Sequence, residues 1–184
     1  LVDYFLQTTH IGMAKLIYDY RKALKTRNRV LKNYMQGLSE ENQTKLVLES
    51  LNTTFLQLAT QLSMARINAI QGILPDFQST MRSVSKRNDV DISVEYVVSG
   101  QNAMNYSQNE MFDSLQQRMQ TLSSAELASG GTLVGPHKHD IKFLYNQNDS
   151  RFFCSQGQQR ALILSFKMAQ IVYHRRVHKS EPVL

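Results

Sequence analysis

Residues 51–73 read LNTTFLQLATQLSMARINAIQGI, and this stretch decides the fold class. Its apolar residues recur in steps of four and three, which alternate as far as Ala69: Leu51, Phe55, Leu58, Leu62, Ala65, Ala69 and Ile73. Such a heptad-like seam is typical of two long helices that lie side by side. We predict a long helix from about Glu41 to Leu74, which Pro75 ends or kinks because proline has no backbone N–H to donate. A further helical piece is expected from Phe77 to about Lys86.

The preceding segment, from about Gly12 to Tyr34, supplies the partner of that helix. Its apolar residues recur at helical spacing: Leu16, Ile17, Tyr20, Leu24, Leu31 and Tyr34. Between them lie cations without any acid: Arg21, Lys22, Lys25, Arg27, Arg29 and Lys32. Gly37 follows and is suited to end the helix. The two helices are predicted to form a long antiparallel hairpin.

Shorter elements are predicted in the second half of the chain. β-Branched residues indicate a strand at Asp91–Ser99, and short strands are expected at Thr132–Val134 and Ile141–Tyr145. Periodic apolar residues predict a helix over Ser107–Leu122. A last helix should run over Ser155–His178, and its middle, ALILSFKMAQIVY, is apolar nearly all round, which indicates a buried helix. The predicted fold class is mainly α with a smaller α+β part.

Composition excludes several classes of protein. The chain has 184 residues, of which 42% are hydrophobic, too many for a disordered chain. A single cysteine allows no internal disulfide and fits a reducing compartment. No apolar run is long enough to span a membrane, and the first residues do not resemble a signal peptide. The formal charge of +6 favours an anionic partner such as nucleic acid. Since the chain starts at Leu1 and stops in an apolar run at Leu184, we expect it to be cut from a longer polypeptide.

The segment Ser155–Arg160, SQGQQR, has two interpretations. In the first, Ser155 is an N-cap and Gln158, three residues on, completes a capping box, which is a common local feature. In the second, the free N–H groups and partial positive charge of a helix N-terminus form a seat for a phosphate. The hydroxyl of Ser155 adds a donor, and Gly157 lets an oxygen approach the backbone closely. The order of residues resembles the signature motif of ABC-type ATPases, which caps the γ-phosphate of ATP held by a second subunit.

Five stretches, in the same order along the chain, resemble the RecF family of bacterial DNA replication and repair ATPases. The most specific are residues 132–140, TLVGPHKHD, similar to TxxGPHRDD, and residues 155–170, SQGQQRALILSFKMAQ, similar to the signature segment of the family. Upstream, residues 20–28, YRKALKTRN, residues 73–77, ILPDF, and the strand at Asp91–Tyr96 also resemble family stretches.

The chain departs from the family pattern at a few positions and lacks two motifs. Lys138 and His139 stand where Arg and Asp are usual, and Cys154 replaces a small residue such as Ala. None of the eight glycines begins the Lys-Ser or Lys-Thr end of a Walker A loop, GxxxxGK[ST]. The acids that end a Walker B strand are not found either. The resemblance therefore implies an internal fragment, which alone is expected to be inactive as an ATPase and to bind no cofactor.

The resemblance also implies a division of the chain and a function for the intact protein. Residues 1–124 would form a helical arm similar to RecF lobe II, with a short strand near 91–99, and residues 125–184 would form the C-terminal part of the ATPase head. The intact protein would bind ATP and Mg²⁺, dimerise on ATP binding and hydrolyse ATP slowly as a DNA-dependent ATPase. It would bind single- and double-stranded DNA at gaps or junctions and help load recombinase with RecR/RecO-type partner proteins. This places it in DNA recombination and the SOS response, in the cytoplasm at the nucleoid, with no membrane partner.

Site residues follow from the same resemblance. The residues that would bind the ATP of a second subunit are Ser155, Gln156, Gly157, Gln158, Gln159 and Arg160. The cations assigned to DNA contact are Lys25, Arg27 and Arg29. A basic helix face of this kind can equally be a solvated surface, so the two interpretations stay open.

Other interpretations compete with this one. A fragment of another SMC- or Rad50-like ATPase is disfavoured by the GPHKHD stretch and by the short coil. A non-enzymatic helical interaction module, in which SQGQQR is only a cap, belongs to a different class. His137 and His139 could begin a metal site, but no third ligand is apparent in the sequence. Cys154 fits a small buried residue better than a nucleophile.

Overall fold

A computed structural model describes residues 2–178 of the chain. The helices are α1 (Val2–Thr9), α2 (Met13–Met35), α3 (Glu41–Ser85), α4 (Gln108–Ser129), α5 (Ser150–Phe153) and α6 (Gln156–His178), with a 3-10 turn at Pro136–Lys138. The strands are β1 (Ile92–Val98), β2 (Gln101–Asn102), β3 (Asp140–Tyr145) and β4 (Asn148–Asp149). The predicted fold class, mainly α with a smaller α+β part, is confirmed.

The described residues pack into two compact units. One unit, which we call the sheet unit, takes its described residues from 1–10, 66–104 and 140–184. The other, the helical unit, comprises residues 11–65 and 105–139. These units group residues by packing, whereas an arm at 1–124 and a head at 125–184 are parts of an intact family member, so that division stays a prediction.

The helical unit contains the predicted antiparallel hairpin. The ring of Tyr20 lies 5.7 Å from that of Phe55, and Arg27 Nε donates to Asn52 Oδ1 at 3.1 Å. Positions that advance along α2 therefore meet positions that retreat along α3, as antiparallel helices require. The core of this unit is apolar and buried: Ile17, Tyr20, Leu31, Phe55, Leu62, Met111 and Leu115.

α3 runs through Pro75 and ends at Ser85. Of the two predicted effects of this proline, an end or a kink, the end is wrong, and the kink stays a prediction. Proline removes one backbone hydrogen bond from a helix. Packing of the following turns offsets that cost, because Phe77 and Met81 are each only 1% exposed. The ring of Phe77 packs edge-on against Phe143 and Phe166 in the core of the sheet unit, with centroids 5.8 and 5.3 Å away.

The strands form one antiparallel sheet in the order β2-β1-β3-β4. β3 pairs along its whole length with β1, from Tyr145 opposite Ile92 to Asp140 opposite Val97. Both strands lie where the sequence predicted them. β3 turns directly into β4 at Asn146 and Gln147, which both have positive φ.

The strand predicted at Thr132–Val134 does not form. Side chains from distant parts of the helical unit satisfy its backbone instead. The N–H of Thr132 donates to Asn28 Oδ1 at 2.8 Å, and the N–H of Leu133 donates to Glu126 Oε1 at 2.7 Å. Because these donors are already used, the segment has no need of a strand partner.

The sequence predicts that α6 is buried nearly all round. This prediction is wrong, because only one face of the helix is buried. The buried face comprises Leu162, Ser165, Phe166, Ala169 and Tyr173. The opposite face exposes apolar side chains, among them Ile163 at 56% and Leu164 at 51%. The apolar composition of the helix is therefore divided between a core face and a surface face.

Candidate functional site

The first candidate site is the signature turn, which we define as Ser155–Arg160 at the start of α6. The N–H of Ser155 donates to Gln158 Oε1 at 2.8 Å, and the N–H of Gln158 donates to Ser155 Oγ at 3.3 Å. These reciprocal bonds are a capping box, which confirms the local interpretation of the segment. The amide of Gln159 adds a brace, since its Nε2 donates to the carbonyls of Ser150 and Cys154 at 3.3 and 3.2 Å.

The cap leaves two backbone donors unused. The first helical bond runs from Gln159 N to the Ser155 carbonyl at 2.9 Å, so neither this bond nor the capping box uses the N–H of Gln156 or Gly157. A Cβ placed on Gly157 would find only Ser155 Oγ nearby, at 3.9 Å. The space in front of the turn is therefore open, and both residues are exposed. Together with the partial positive charge of the helix end, these donors can bind an anion.

The segment just before this turn is fixed by an ionic clamp, a pair of bonds from Arg151 to two aspartates, which the sequence did not predict. Arg151 donates from Nη1 to Asp140 Oδ2 at 2.8 Å and from Nη2 to Asp149 Oδ2 at 2.7 Å. Its bonds lower the pKa of Asp149 and raise the pKa of the guanidinium. Asp140 is the last residue of GPHKHD, so the clamp joins that motif to the segment just before the signature turn. The sequence signal was a lone arginine two residues after an aspartate, which is too common to single out.

GPHKHD begins at a glycine that its neighbours require. Gly135 has φ 121°, and a Cβ there would lie 2.8 Å from Tyr20 Oη and 3.2 Å from Phe55 Cζ. His137 follows: its Nε2 lies 3.0 Å from the Thr132 carbonyl, which can only accept. Nδ1 therefore accepts the hydroxyl of Tyr20 at 2.6 Å in the neutral ring. The segments YRKALKTRN and GPHKHD are therefore in contact through Tyr20 and His137.

The two histidines that could begin a metal site have different partners. His139 Nδ1 lies 3.4 Å from Ser63 Oγ, whereas His137 bonds Tyr20 and Thr132. Among residues 2–178, no three His, Cys, Asp or Glu side chains are placed to hold a metal ion. Cys154 is half-buried, and burial raises the pKa of its thiol, which makes it a poor nucleophile near neutral pH.

Arg27 has a structural position, and its assignment to DNA contact is corrected. The side chain is 2% exposed and forms an ion pair with Glu126, itself 1% exposed, at 2.7 Å. It also donates to Thr132 Oγ1 at 3.0 Å and lies 5.6 Å from the centre of the Phe55 ring. Arg27 therefore ties the last turn of α4, which contains Glu126, to the segment at Thr132 that precedes GPHKHD. Its side chain is not accessible to a phosphate. Lys25 and Arg29, by contrast, are exposed.

Comparison with known proteins shows which proteins this chain resembles. The DNA replication and repair protein RecF of Geobacter sp. (strain M21) is 31% identical over 183 residues, which cover 100% of this chain and 47% of that protein. RecF of Exiguobacterium sp. is 31% identical over 166 residues, 88% of this chain and 43% of its own length. This chain is similar to RecF over its whole length. It spans about half the length of the curated RecF proteins that it matches.

The solved structures agree on the fold. A structure of the recombination mediator protein RecF-ATP in the RecFOR pathway superposes with a TM-score of 0.87 at 23% identity, over 100% of this chain and 47% of that RecF chain. The RecF-ATPrS structure gives a TM-score of 0.86. No family model matches the chain. Within residues 2–178, no helix is both long and apolar enough to cross a bilayer.

Proposed function

We propose that this chain is part of a RecF-type DNA replication and repair protein, and that its signature turn binds the terminal phosphate of an ATP held by a second subunit. The observation that carries the proposal is the pair of unused N–H groups at Gln156 and Gly157, in front of open space. Homology to RecF over the whole chain supports the nucleotide as the anion. A capping box and a phosphate seat are compatible because they use different donors.

Each residue of the turn has a distinct part in this proposal. The N–H groups of Gln156 and Gly157 donate to phosphate oxygens, and the hydroxyl of Ser155 supplies a third donor. The side chains of Gln158 and Gln159 hold the turn in shape through the bonds described above. Arg160 is exposed one turn further on and adds positive charge. The Walker motifs and the Mg²⁺ that complete such a site would come from outside this chain.

The wider proposal concerns the intact protein. It dimerises on ATP, hydrolyses ATP slowly, binds gaps or junctions in DNA and helps load recombinase with RecR/RecO-type partners in the cytoplasm. Lys25 and Arg29 are the proposed DNA contacts, since both are exposed on α2. Arg27 supports them only by fixing the fold of the helical unit.

The test of the signature turn uses a full-length RecF-type protein that contains this chain. Gly157→Glu places a carboxylate at the proposed position of the phosphate. The helix itself should tolerate the change, because an acid in the first turn interacts favourably with the helix dipole. Sedimentation analysis with ATP is expected to show a monomer for this variant and a dimer for the parent protein. Gly131→Glu is the matched control, because Gly131 also has open space around its Cβ position and belongs to the helical unit, whereas the turn belongs to the sheet unit. If Gly157→Glu dimerises with ATP at the same concentration as Gly131→Glu, the phosphate role is wrong.

A further inference from the structure

The net positive charge of the chain lies on one helix. The sequence holds 21 Lys and Arg against 15 Asp and Glu. α2 alone contains seven of the basic residues and one acid, Asp19. The rest of the chain therefore has fourteen of each and no net charge. The charge that favours an anionic partner belongs to 23 residues.

Exposed cations form a stripe along this helix. We define the α2 stripe as Lys15, Arg21, Lys22, Lys25, Arg29 and Lys32, all of which are exposed. With a rise of about 1.5 Å per residue, the stripe is about 25 Å long. In the described part of the chain no salt bridge involves any of the six. Exposed cations elsewhere, such as Arg87 and Arg151, do pair with acids.

An exposed aromatic ring lies within the stripe. Tyr18 is 64% exposed, three residues after Lys15 and four before Lys22, so all three lie on one face of α2. Tyr20, two residues on, is 2% exposed and bonds His137. The core therefore accounts for Tyr20 but not for Tyr18. A solvated aromatic ring between unpaired cations is the arrangement that proteins use to stack a base and hold its neighbouring phosphates.

The opposite face of α2 argues against a membrane as the anionic partner. A helix that lies in a bilayer interface buries its apolar face in lipid. Here that face is already used, because Ile17, Tyr20 and Leu31 are at most 2% exposed inside the helical unit. The surface that remains offers charge and one aromatic ring but no apolar face.

We propose that the α2 stripe binds single-stranded nucleic acid, with an unpaired base stacked on Tyr18 and the backbone phosphates along the cations. A duplex keeps its bases stacked on one another, so Tyr18 has a base to stack on only where a strand is unpaired. The inference rests on the DNA-binding role proposed above and specifies which strand α2 holds. If all six cations neutralise phosphates of one strand, the logarithm of the affinity falls with the logarithm of salt concentration at a slope of about −4.

The experiment measures fluorescence anisotropy of a labelled oligothymidine of about 16 nucleotides and of a blunt duplex of the same length, each with the 184-residue chain. Tyr18→Ala is expected to weaken binding to the single strand at least about fivefold and leave the salt slope unchanged. Tyr18→Phe, which keeps the ring, should bind as the parent chain does. Tyr4→Ala is the control, because Tyr4 is 70% exposed and lies on α1.

A second pair of variants tests the phosphate contacts. Arg29→Gln is expected to reduce the salt slope by about 0.7 over the range from about 50 to 200 mM salt. Arg118→Gln, an exposed arginine on α4 of the same unit, should leave the slope as it is. The inference is overturned if Tyr18→Ala binds the single strand normally or weakens the duplex as much. It is also overturned if the two arginine variants have equal slopes, or if vesicles of anionic lipid bind more tightly than the oligothymidine.

Failure of this inference can be told apart from failure of the proposed function. If the chain binds DNA but is indifferent to both Tyr18→Ala and Arg29→Gln, only the assignment to α2 is wrong. If the chain binds neither the single strand nor the duplex, both this inference and the proposed DNA-binding role fail. The dimerisation test on Gly157 is independent of both results.

Discussion

Replacing Arg27 by methionine tests whether the buried ion pair organises the helical unit. Methionine keeps most of the length and packing of the arginine stem but removes every donor. Glu126, which is 1% exposed, would then keep only the N–H of Leu133 as a partner. The side-chain acceptors of Asn52 and Thr132 would also lose the donors at 3.1 and 3.0 Å.

The expected cost is large because a charge is left buried and unpaired. Removing one partner of a buried pair typically destabilises a protein by about 3–5 kcal/mol. Urea unfolding followed by circular dichroism should therefore show a lower midpoint for Arg27→Met with an unchanged m-value. Arg29→Met is the control, because Arg29 is an exposed arginine two residues further along the same helix. This variant should shift the free energy of unfolding by no more than about 0.5 kcal/mol.

A double variant separates the charge from the packing. In Arg27→Met/Glu126→Gln the buried charge is gone, while the glutamine oxygen can still accept from Leu133. We expect the double variant to be more stable than Arg27→Met alone by at least about 1 kcal/mol, since coupled neighbours typically interact by about 0.5–3 kcal/mol. A loss below about 1 kcal/mol for Arg27→Met, or a double variant that is less stable than Arg27→Met, would mean that the buried ion pair does not organise the helical unit.

Three further predictions concern the motifs. Gly135→Ala should lower the free energy of unfolding by more than about 1 kcal/mol in a urea titration, because φ is 121° and the new Cβ would lie 2.8 Å from the hydroxyl of Tyr20. Gly131→Ala is the control and should cost much less, because the space around its Cβ position is open. Ser155→Ala should destabilise the chain by about 1 kcal/mol through loss of the cap, and unchanged thermal unfolding would contradict the capping role. Arg151 lowers the pKa of Asp149, so the ion pair stabilises the fold at neutral pH and this stabilisation is lost as the pH falls below 3.8. Asp149→Asn should therefore reduce the fall of the urea midpoint at acid pH. A midpoint that depends on pH as in the parent chain would contradict this prediction.

Periodicity in the sequence was sufficient to predict most elements. Hydrophobic steps of three and four predict α2 and α3, and β-branched residues predict β1. What the sequence could not supply were the non-local contacts. The backbone at Thr132 is satisfied by Asn28, more than a hundred residues earlier, and this removes the predicted strand. α3 continues past Pro75 because later turns are buried in the sheet unit.

The role of Arg27 did have a signal in the sequence. It lies seven residues after Tyr20 and four before Leu31, in register with the apolar positions that face the core of the helical unit. A cation in that register is expected to be buried and paired. Arg27 shares its charge with the exposed Lys25 and Arg29, whereas its position along the helix is that of a core residue. The signature turn was the reverse case, since its cap and its free donors follow directly from residue order.

The N–H groups of Gln156 and Gly157 are the proposed contacts to a phosphate of ATP from a second subunit. The most direct measurement is amide hydrogen exchange at these two residues in a full-length RecF-type protein that contains this chain. Exchange of both amides is expected to slow on addition of ATP and to remain fast with ADP, while the amide of Gly131 is unaffected. Exchange at Gln156 and Gly157 that is equally fast with ATP and ADP, under conditions where the ATP-bound dimer forms, would contradict the account.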